Sequence, residues 1–314
     1  MLQILQVVLP VFFIIGAGYL AAYKNRFSGD QANSLMRFAT QFAVPCLLFL
    51  GVAKLDLNTV FKPNILVPFY VGASVSFIII AIAAKFFFRH AADKSIAIGF
   101  AGLFSNSVLI GVAIVELAYG LAGLEPAFAV IAIHAPFCYI VGITAMEFSK
   151  SRANANGLDL ASTLATVAQQ VFSNALTVGL MLGFTVNLLD ITLPAPLAKA
   201  IELFARAALP AALFALGAIL VFYKVTDDLK EVAVVSFGKL FIHPMTVYLL
   251  GRFVFNLPDE LLKPVVIIAA MPPGINAYVF ATMYENGREI AASSVLIATA
   301  LSIATISAWL IFLG

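Results

Sequence analysis

The sequence predicts an all-α polytopic membrane protein with ten transmembrane helices, arranged as a five-plus-five inverted repeat. The first observation is composition: 62% of the 314 residues are hydrophobic and 11% are charged, with a mean hydropathy of +1.04. Soluble domains average about 25% charged residues, so this chain cannot cover a water-soluble surface. The second is that apolar runs of about 20 residues, the length that crosses a bilayer, recur along the chain. The third is that its two halves resemble each other.

The apolar runs define the ten segments in order. The first is predicted to remain as a membrane helix, because no Lys or Arg precedes Lys24 and the run is too long for a cleaved signal peptide. A polar stretch at 149–166 is predicted to link a first repeat (1–148) to a second (167–314). The segments cover residues 2–23, 32–53, 65–88, 94–119, 127–148, 167–189, 197–223, 232–255, 263–284 and 290–313.

Two of these segments are predicted to be interrupted. In the ninth, Pro272 and Pro273 remove two backbone donors, and Gly274 and Asn276 follow at once, so an unbroken helix is implausible here. The fourth segment has a comparable interruption at 104–113 (FSNSVLIGVA). In lipid, broken backbone survives only inside protein or against a water-filled cavity. Paired broken segments in two halves are typical of the binding site of a secondary transporter.

The inverted repeat is supported by similar motifs in the two halves of the sequence. Residues 43–49 (AVPCLLF) in the second segment match 208–214 (ALPAALF) in the seventh, and Gly51 and Gly217 follow at nearly the same spacing. The two interrupted segments keep a similar offset. Five segments is an odd number, so the halves must insert with opposite topology.

Lys and Arg in the short connections predict the orientation, because they concentrate on the cytoplasmic side. Both termini are predicted to lie outside. The cytoplasmic connections then carry Lys24, Arg26, Arg89, Lys94, Lys150, Arg152, Lys224, Lys230 and Arg288, against Lys54, Lys62, Arg252 and Lys263 outside.

Four stretches resemble the auxin efflux carrier family, which includes plant PIN-type auxin exporters and bacterial organic-acid permeases. Residues 104–111 (FSNSVLIG) resemble its Asn-Thr-x-x-x-Gly-x-Pro signature, and 271–284 (MPPGINAYVFATMY) are similar to its second broken helix. Residues 42–49 (FAVPCLLF) and 208–218 (ALPAALFALGA) resemble its proline-bearing second and seventh helices. The resemblance covers essentially the whole chain.

The resemblance implies a fold shared with bacterial sodium/proton antiporters and bile-acid symporters. Segments one, two, six and seven would form a scaffold, often a homodimer interface. Segments three to five and eight to ten would form a transport domain that moves as an elevator. Ala113 and Ala277 replace prolines common in the family, and the connection between halves is short. These departures favour a bacterial inner-membrane member over a plant exporter.

Asn106 is the first candidate for substrate contact, because an amide at an unwound turn can donate to a carboxylate. The alternative is that Asn106 only caps broken backbone. Its neighbours Ser105 and Ser107 carry the same two alternatives. In the ninth segment, Asn276 and the backbone of Gly274 and Ile275 occupy the equivalent place.

The charge pattern near the breaks favours an anion. The helix halves that restart after each break direct partial positive charge at the crossing. Neither break has a Lys or Arg nearby, and neither has the Asp or Glu that a cation antiporter would need. A carboxylate is the simplest small anion, so a mono- or dicarboxylate is the predicted substrate.

Further candidates come from correspondence with the family or from the crossing motifs. The resemblance implies that Val44 lines the scaffold side of the pocket and that Tyr139 is a pocket position. Gly111, Pro272 and Pro273 are crossing or hinge candidates. For Pro45 and Pro210, which are also hinge candidates, ordinary packing around a proline kink is the favoured alternative.

Proton coupling has two candidates. His134 on the fifth segment can titrate near neutral pH, although a lone intramembrane histidine is more often a hydrogen-bonded structural residue. Glu116 can couple protons to substrate, or it can extend toward the outer surface. Lys239 and His243 on the eighth segment form another cluster, for which an ion pair at a helix end is the default interpretation.

These observations predict a transporter of small organic anions and not an enzyme. No nucleotide-binding loop, metal-ligand cluster or nucleophile–base pair is visible in the sequence, so no cofactor, metal or nucleic-acid partner is predicted. The alternatives are an exporter of an auxin-like aromatic carboxylate and a membrane sensor that kept the fold but lost transport.

Overall fold

The computed structural model describes residues 2–153 and 159–314, and every regular element in these ranges is helical. Four short π-helical turns interrupt the α-helices, at Ala39–Ala43, Ser107–Gly111, Gly238–Ile242 and Leu250–Val254. The α-helices are α1 (Leu2–Tyr23), α2 (Gly29–Phe38), α3 (Val44–Ala53), α4 (Leu57–Val60), α5 (Pro63–Phe86), α6 (Ala92–Leu103), α7 (Val112–Ala153), α8 (Leu160–Phe172), α9 (Ala175–Leu188), α10 (Ala195–Leu220), α11 (Leu229–Phe237), α12 (His243–Leu249), α13 (Asp259–Ala269), α14 (Ile275–Met283) and α15 (Arg288–Leu313).

Within the described ranges, seven helices are long and apolar enough to cross a membrane, or eight if the bent pair α8–α9 counts as one. The chain is therefore a multi-pass membrane protein. The number is below the predicted ten because both interrupted segments are divided into short pieces, such as α13 with 11 residues and α14 with 9. The seven are Ile4–Tyr23, Gly29–Ala53, Pro63–Phe86, Ser107–Arg152, Ala195–Leu220, Leu229–Val254 and Arg288–Leu313.

The middle of the chain departs from the predicted segments. The sixth segment, expected as one straight span, is bent by 75° between α8 and α9. The side chain of Asn174 accepts a hydrogen bond from the backbone N–H of Leu176 at 2.9 Å, which caps the restarted helix. The fifth segment extends beyond its predicted end, because α7 continues to Ala153 and bends at Gly120. Within the predicted linker, residues 154–158 lie outside the described ranges.

Two helix pairs approach closely through glycine. Helix α1 packs against α10, where Gly18 faces the backbone of Phe214 and Gly217 faces the backbone of Ile15. Helix α3 packs against α9, where a Cβ on Gly179 would lie 2.5 Å from the carbonyl oxygen of Pro45. Small residues at such contacts allow helix backbones to approach closely, which is the usual basis of association in lipid.

A second packed region holds the interrupted helices. Phe100 on α6 stacks on Phe280 of α14, with ring centroids 3.8 Å apart and planes 11° from parallel. Tyr70 on α5 donates a buried hydrogen bond of 2.6 Å to the carbonyl oxygen of Val130 on α7. The first contact joins the two halves of the chain near the breaks, the second joins two helices of the first half, and together they position the site described next.

Candidate functional site

The two interruptions meet. Helix α6 ends at Leu103 and helix α13 ends at Ala269, and the extended residues after each run antiparallel to one another. Ser105 and Pro273 form an antiparallel bridge between them. Each break therefore supplies the other with backbone partners, which membrane depth requires.

Two backbone hydrogen bonds hold this bridge. The N–H of Asn106 donates to the carbonyl oxygen of Pro272 at 2.8 Å, and the N–H of Gly274 donates to that of Phe104 at 2.9 Å. Pro272 and Pro273 have no N–H of their own, so neither can continue the ladder of helix α13. Because no helical N–H reaches the carbonyl oxygen of Pro272 after the helix has ended, that oxygen accepts from the other break instead.

Gly111 lies where the two segments pack. A Cβ there would lie 2.8 Å from Cδ1 of Ile268 and 3.2 Å from Cγ of Met271. The absence of a side chain lets the restarted helix lie directly against α13. Pro210 lies inside α10, and Pro45 lies in the first turn of α3 after a π-helical turn. The hinge roles of all these residues stay predictions.

A cavity of about 560 Å³ opens beside the bridge. Ligand pockets generally occupy about 300–1,000 Å³, so a small organic molecule fits. One wall comes from the breaks and helix α7. The other comes from helices α2, α3 and α9 and the segments joining them. Within the described ranges no Asp, Glu, Lys or Arg lines the cavity. The lining residues include Met36, Thr40, Gln41, Leu48, Ser105, Asn106, Val108, Ile131, His134, Asn174, Thr177, Leu180, Gly274, Ile275, Asn276 and Val279.

Five of the eight predicted substrate contacts line this cavity: Ser105, Asn106, Gly274, Ile275 and Asn276. The other three do not. Ser107 is buried at the start of the π-helical turn, and Val44 is buried at the start of α3. Tyr139 is buried behind the site, with its ring against those of Phe100 and Phe104.

Two lining side chains hold buried polar atoms that have no hydrogen-bond partner in the described parts of the chain. They are Nδ2 of Asn106, a residue of the wall formed by the breaks, and Oγ1 of Thr177, a residue of the opposite wall. Buried polar groups are almost always paired, so such atoms indicate a place for a ligand or water. The Asn106 side chain does not cap the restarted helix, which is the alternative that the sequence left open.

Thr177 was not identified from the sequence. It lies in the first turn of α9, directly after the 75° bend that the sequence did not predict. A bend at Ser173 and Asn174 lacks the proline or glycine that marks most kinks. The capping preference of Asn174 is the one signal that pointed to a helix start there.

His134 lines the cavity and supports one break. The backbone N–H of Ser105 donates to Nε2 of His134 at 3.0 Å. A backbone N–H can only donate, so Nε2 accepts and the imidazole is neutral in this arrangement. Sγ of Cys138 lies 3.7 Å from the other ring nitrogen, Nδ1. The proposed proton role of His134 therefore requires the bond to Ser105 to break.

The default interpretation put Lys239 and His243 at a helix end, but they lie near the middle of the membrane span Leu229–Val254. Both are fully buried, and Nζ of Lys239 donates to Oγ of Ser105 behind the cavity wall. The default of an ion pair is wrong, because Nζ contacts His243 at 2.6 Å and the Ala269 carbonyl oxygen at 3.3 Å, not a carboxylate. Glu116, the other titratable candidate, is exposed and does not line the cavity.

Comparisons with known proteins find similarity along almost the whole chain. The family described as Membrane transport protein matches residues 3–310. A protein of Rhizobium meliloti (strain 1021) named "Putative malonate transporter" is 26% identical over 309 residues, covering 98% of this chain and 95% of that protein. The "Uncharacterized transporter YfdV" of Escherichia coli (strain K12) is 24% identical over 312 residues, covering 96% of this chain and 95% of that protein.

A mouse relative, "Lysosomal cholesterol signaling protein", is 25% identical over 334 residues. The match covers 98% of this chain but 37% of that protein. The family and both bacterial relatives have transporter names and not enzyme names.

Proposed function

Because the chain belongs to the membrane transport protein family, the auxin efflux carrier family that its motifs resemble, we propose that it is a secondary transporter of small organic anions. The substrate class is mono- or dicarboxylates, bound in the cavity beside the bridge. One observation carries the proposal. Asn106 and Thr177 lie on opposite walls of the cavity, and Asn106 Nδ2 and Thr177 Oγ1 are buried without a partner among the described residues, where no Asp or Glu lines the cavity.

The lining chemistry favours an anion over a cation. Asn106 and Asn276 offer amide donors, and the first turn of α14 begins at Gly274 without a side-chain cap. Uncapped amides at a helix start attract negative charge. A sodium or proton antiporter would instead be expected to carry a carboxylate at this place, because intramembrane Asp and Glu side chains bind and release the coupled cation.

Two classes of acid, which differ in size, are candidate substrates. The name of the Rhizobium relative supports a short dicarboxylate such as malonate. The volume of about 560 Å³ exceeds what a three-carbon diacid occupies, and apolar side chains such as Val108, Ile131 and Val279 line part of it. That apolar part supports the second candidate, an auxin-like aromatic carboxylate.

The proposed mechanism is elevator-type alternating access on the ten-span inverted repeat, with the division at 1–148, 149–166 and 167–314. The scaffold consists of α1, α2–α3, α8–α9 and α10, and the remaining helices form the transport domain. The position of the cavity supports this division, since Thr40 and Thr177 belong to one group and Asn106 and Asn276 to the other. The scaffold would also form the homodimer interface.

We place the protein in a bacterial inner membrane with both termini outside, from the distribution of Lys and Arg. An alkaline phosphatase fused after Gly314 is therefore expected to be active, because that enzyme folds only in an oxidising compartment. A green fluorescent protein fusion at the same residue is expected to be dark. The opposite pair of results would reverse the orientation.

The experiment for function is uptake of labelled acids by proteoliposomes. We expect saturable counterflow of at least one acid from a panel of acetate, malonate, succinate and indole-3-acetate, and none of labelled sodium. The acid with the highest uptake assigns the size class. Binding of an acid without flux would favour the sensor alternative, and absence of both binding and flux would reject the proposal.

A further inference from the structure

The amino group of Lys239 has three neighbours that accept hydrogen bonds. They are Oγ of Ser105, Nδ1 of His243 and the carbonyl oxygen of Ala269. A lysine ammonium has three N–H donors and no acceptor. The three acceptors match the three N–H donors of an ammonium group, so the pocket can pair every donor of the protonated lysine.

The pocket itself is electrically neutral. Nε2 of His243 lies 3.2 Å from the carbonyl oxygen of Phe69. A carbonyl can only accept, so Nε2 carries the hydrogen and Nδ1 is left to accept from Lys239. No Asp or Glu contributes, since Lys239 belongs to none of the ion pairs among described residues.

The other titratable groups near Lys239 are also uncharged in this arrangement. On α7, His134 accepts from the Ser105 N–H, and Cys138 lies beside His134. On α5, Tyr70 stacks on His134 and donates its hydroxyl to a backbone carbonyl. From α13, the partner is the Ala269 carbonyl. The charge of a protonated Lys239 therefore has no counterion on any of these elements.

An uncompensated buried charge is costly, by several kcal/mol even after relaxation. Protonation of Lys239 is therefore favoured when a negative charge comes close. The cavity lies on the other side of Ser105, one of its lining residues, and the proposed substrate is an anion. Anion binding and protonation then stabilise each other, and such coupling is reciprocal.

The Ser105 hydroxyl provides the connection. It has one hydrogen to donate and two lone pairs to accept with. When Lys239 is an ammonium, Oγ accepts from Nζ and the hydroxyl hydrogen is free to turn to an anion. When Lys239 is an amine, the hydroxyl can donate to its lone pair and is lost to the anion.

We propose that Lys239 carries the proton that is transported with the anion, and that Ser105 transmits its charge state to the cavity. This inference rests on the proposed function. One proton binds to Nζ for each anion bound, and both leave together on the other side. A monocarboxylate would therefore cross with no net charge. Glu116 and His134 are then not the coupling groups.

The test is uptake by proteoliposomes under an imposed pH gradient, with Lys239→Gln compared with wild type. With one proton per anion, one pH unit gives about tenfold accumulation of a monocarboxylate at zero voltage. We expect wild type to accumulate the acid. Lys239→Gln should lose this accumulation, and its flux should become sensitive to a potassium–valinomycin potential. A merely structural lysine would lower the rate without changing the voltage response.

Lys230→Gln is the matched control, an exposed lysine on α11 that should behave as wild type. Ser105→Ala keeps the lysine and should also lose gradient-driven accumulation. This second variant tests the inference if Lys239→Gln does not fold or transports no acid. If wild type transports acids but ignores pH, or if both variants keep the accumulation, the inference fails and the transport function stands. If wild type transports no acid, the proposed function fails.

Discussion

Replacement of Asn106 by aspartate is expected to lower carboxylate uptake by at least about a hundredfold. The change puts a carboxylate of nearly the same size where the unpaired Nδ2 amide lies on the cavity wall. Like charges brought together in such a site cost several kcal/mol, and each 1.4 kcal/mol is a factor of ten. Asn106→Ala removes the donor without adding charge, and a hydrogen bond to a charged group contributes about 1.5–3 kcal/mol, so we expect about a tenfold loss or more.

Initial uptake rates at low substrate concentration measure both effects. Asn33→Asp is the control, because Asn33 is exposed on α2 and does not line the cavity, and it should transport as wild type does. Equal uptake by Asn106→Asp and wild type would remove Asn106 from the substrate site. Equal losses of uptake in Asn106→Asp and Asn106→Ala would indicate that a negative charge at position 106 does not repel the substrate.

The largest expected effect on stability is that of Gly217→Ala. The new methyl group would overlap the carbonyl oxygen of Ile15, and a backbone atom cannot move aside as a flexible side chain can. Helices α1 and α10 must then separate. Overpacking generally costs about 1–3 kcal/mol, and we expect the upper end here. For a chain of this size, about 3 kcal/mol lowers the melting temperature by about 6–12 °C.

Thermal unfolding in detergent measures this difference. Gly16→Ala is the matched control, because Gly16 directly follows Ile15 on α1 but a Cβ there would meet nothing within 4 Å. Its melting temperature should be unchanged or slightly raised, since Ala is favoured over Gly in a helix by about 1 kcal/mol. Similar melting temperatures for the two variants would mean that α1 and α10 do not pack as described.

The interruptions were predictable from sequence because they depend on local chemistry. The adjacent Pro272 and Pro273 remove two successive backbone donors and are followed by Gly274, which disfavours a continuous helix, and the matching pattern at 104–113 predicted the second break. The position of Asn106 at the break could be predicted directly from this pattern. The missing partner of its side-chain amide could not be predicted, because an amide at a helix start can also cap the helix.

The contact between Lys239 and Ser105 was not predictable in the same way. These residues are 134 positions apart, and no local pattern reports which side of the eighth segment faces the break. The signal was a Lys and a His four residues apart, and so on one helix face, inside an apolar segment. An intramembrane charge is a functional candidate by default. An ion pair at a helix end was the wrong alternative to prefer.

The bend before Thr177, and therefore the place of Thr177 on the cavity wall, could not be predicted from local sequence. Ser173 and Asn174 are weak breakers compared with proline, so residues 167–189 looked like an ordinary span. The positions of Val44 and Tyr139 came from family correspondence alone. Side chains that line the cavity and side chains buried behind its wall have the same apolar sequence context. Correspondence with the family therefore did not distinguish the two positions.

The central claim is that the anion binds at the bridge between the two broken helices. Electron cryomicroscopy of the protein with the most strongly transported acid tests it most directly. We expect density for the acid within hydrogen-bond distance of Asn106 Nδ2, between the breaks and Thr177. Density for the acid elsewhere, or a map in which 92–119 or 259–283 forms one continuous helix, would contradict the account.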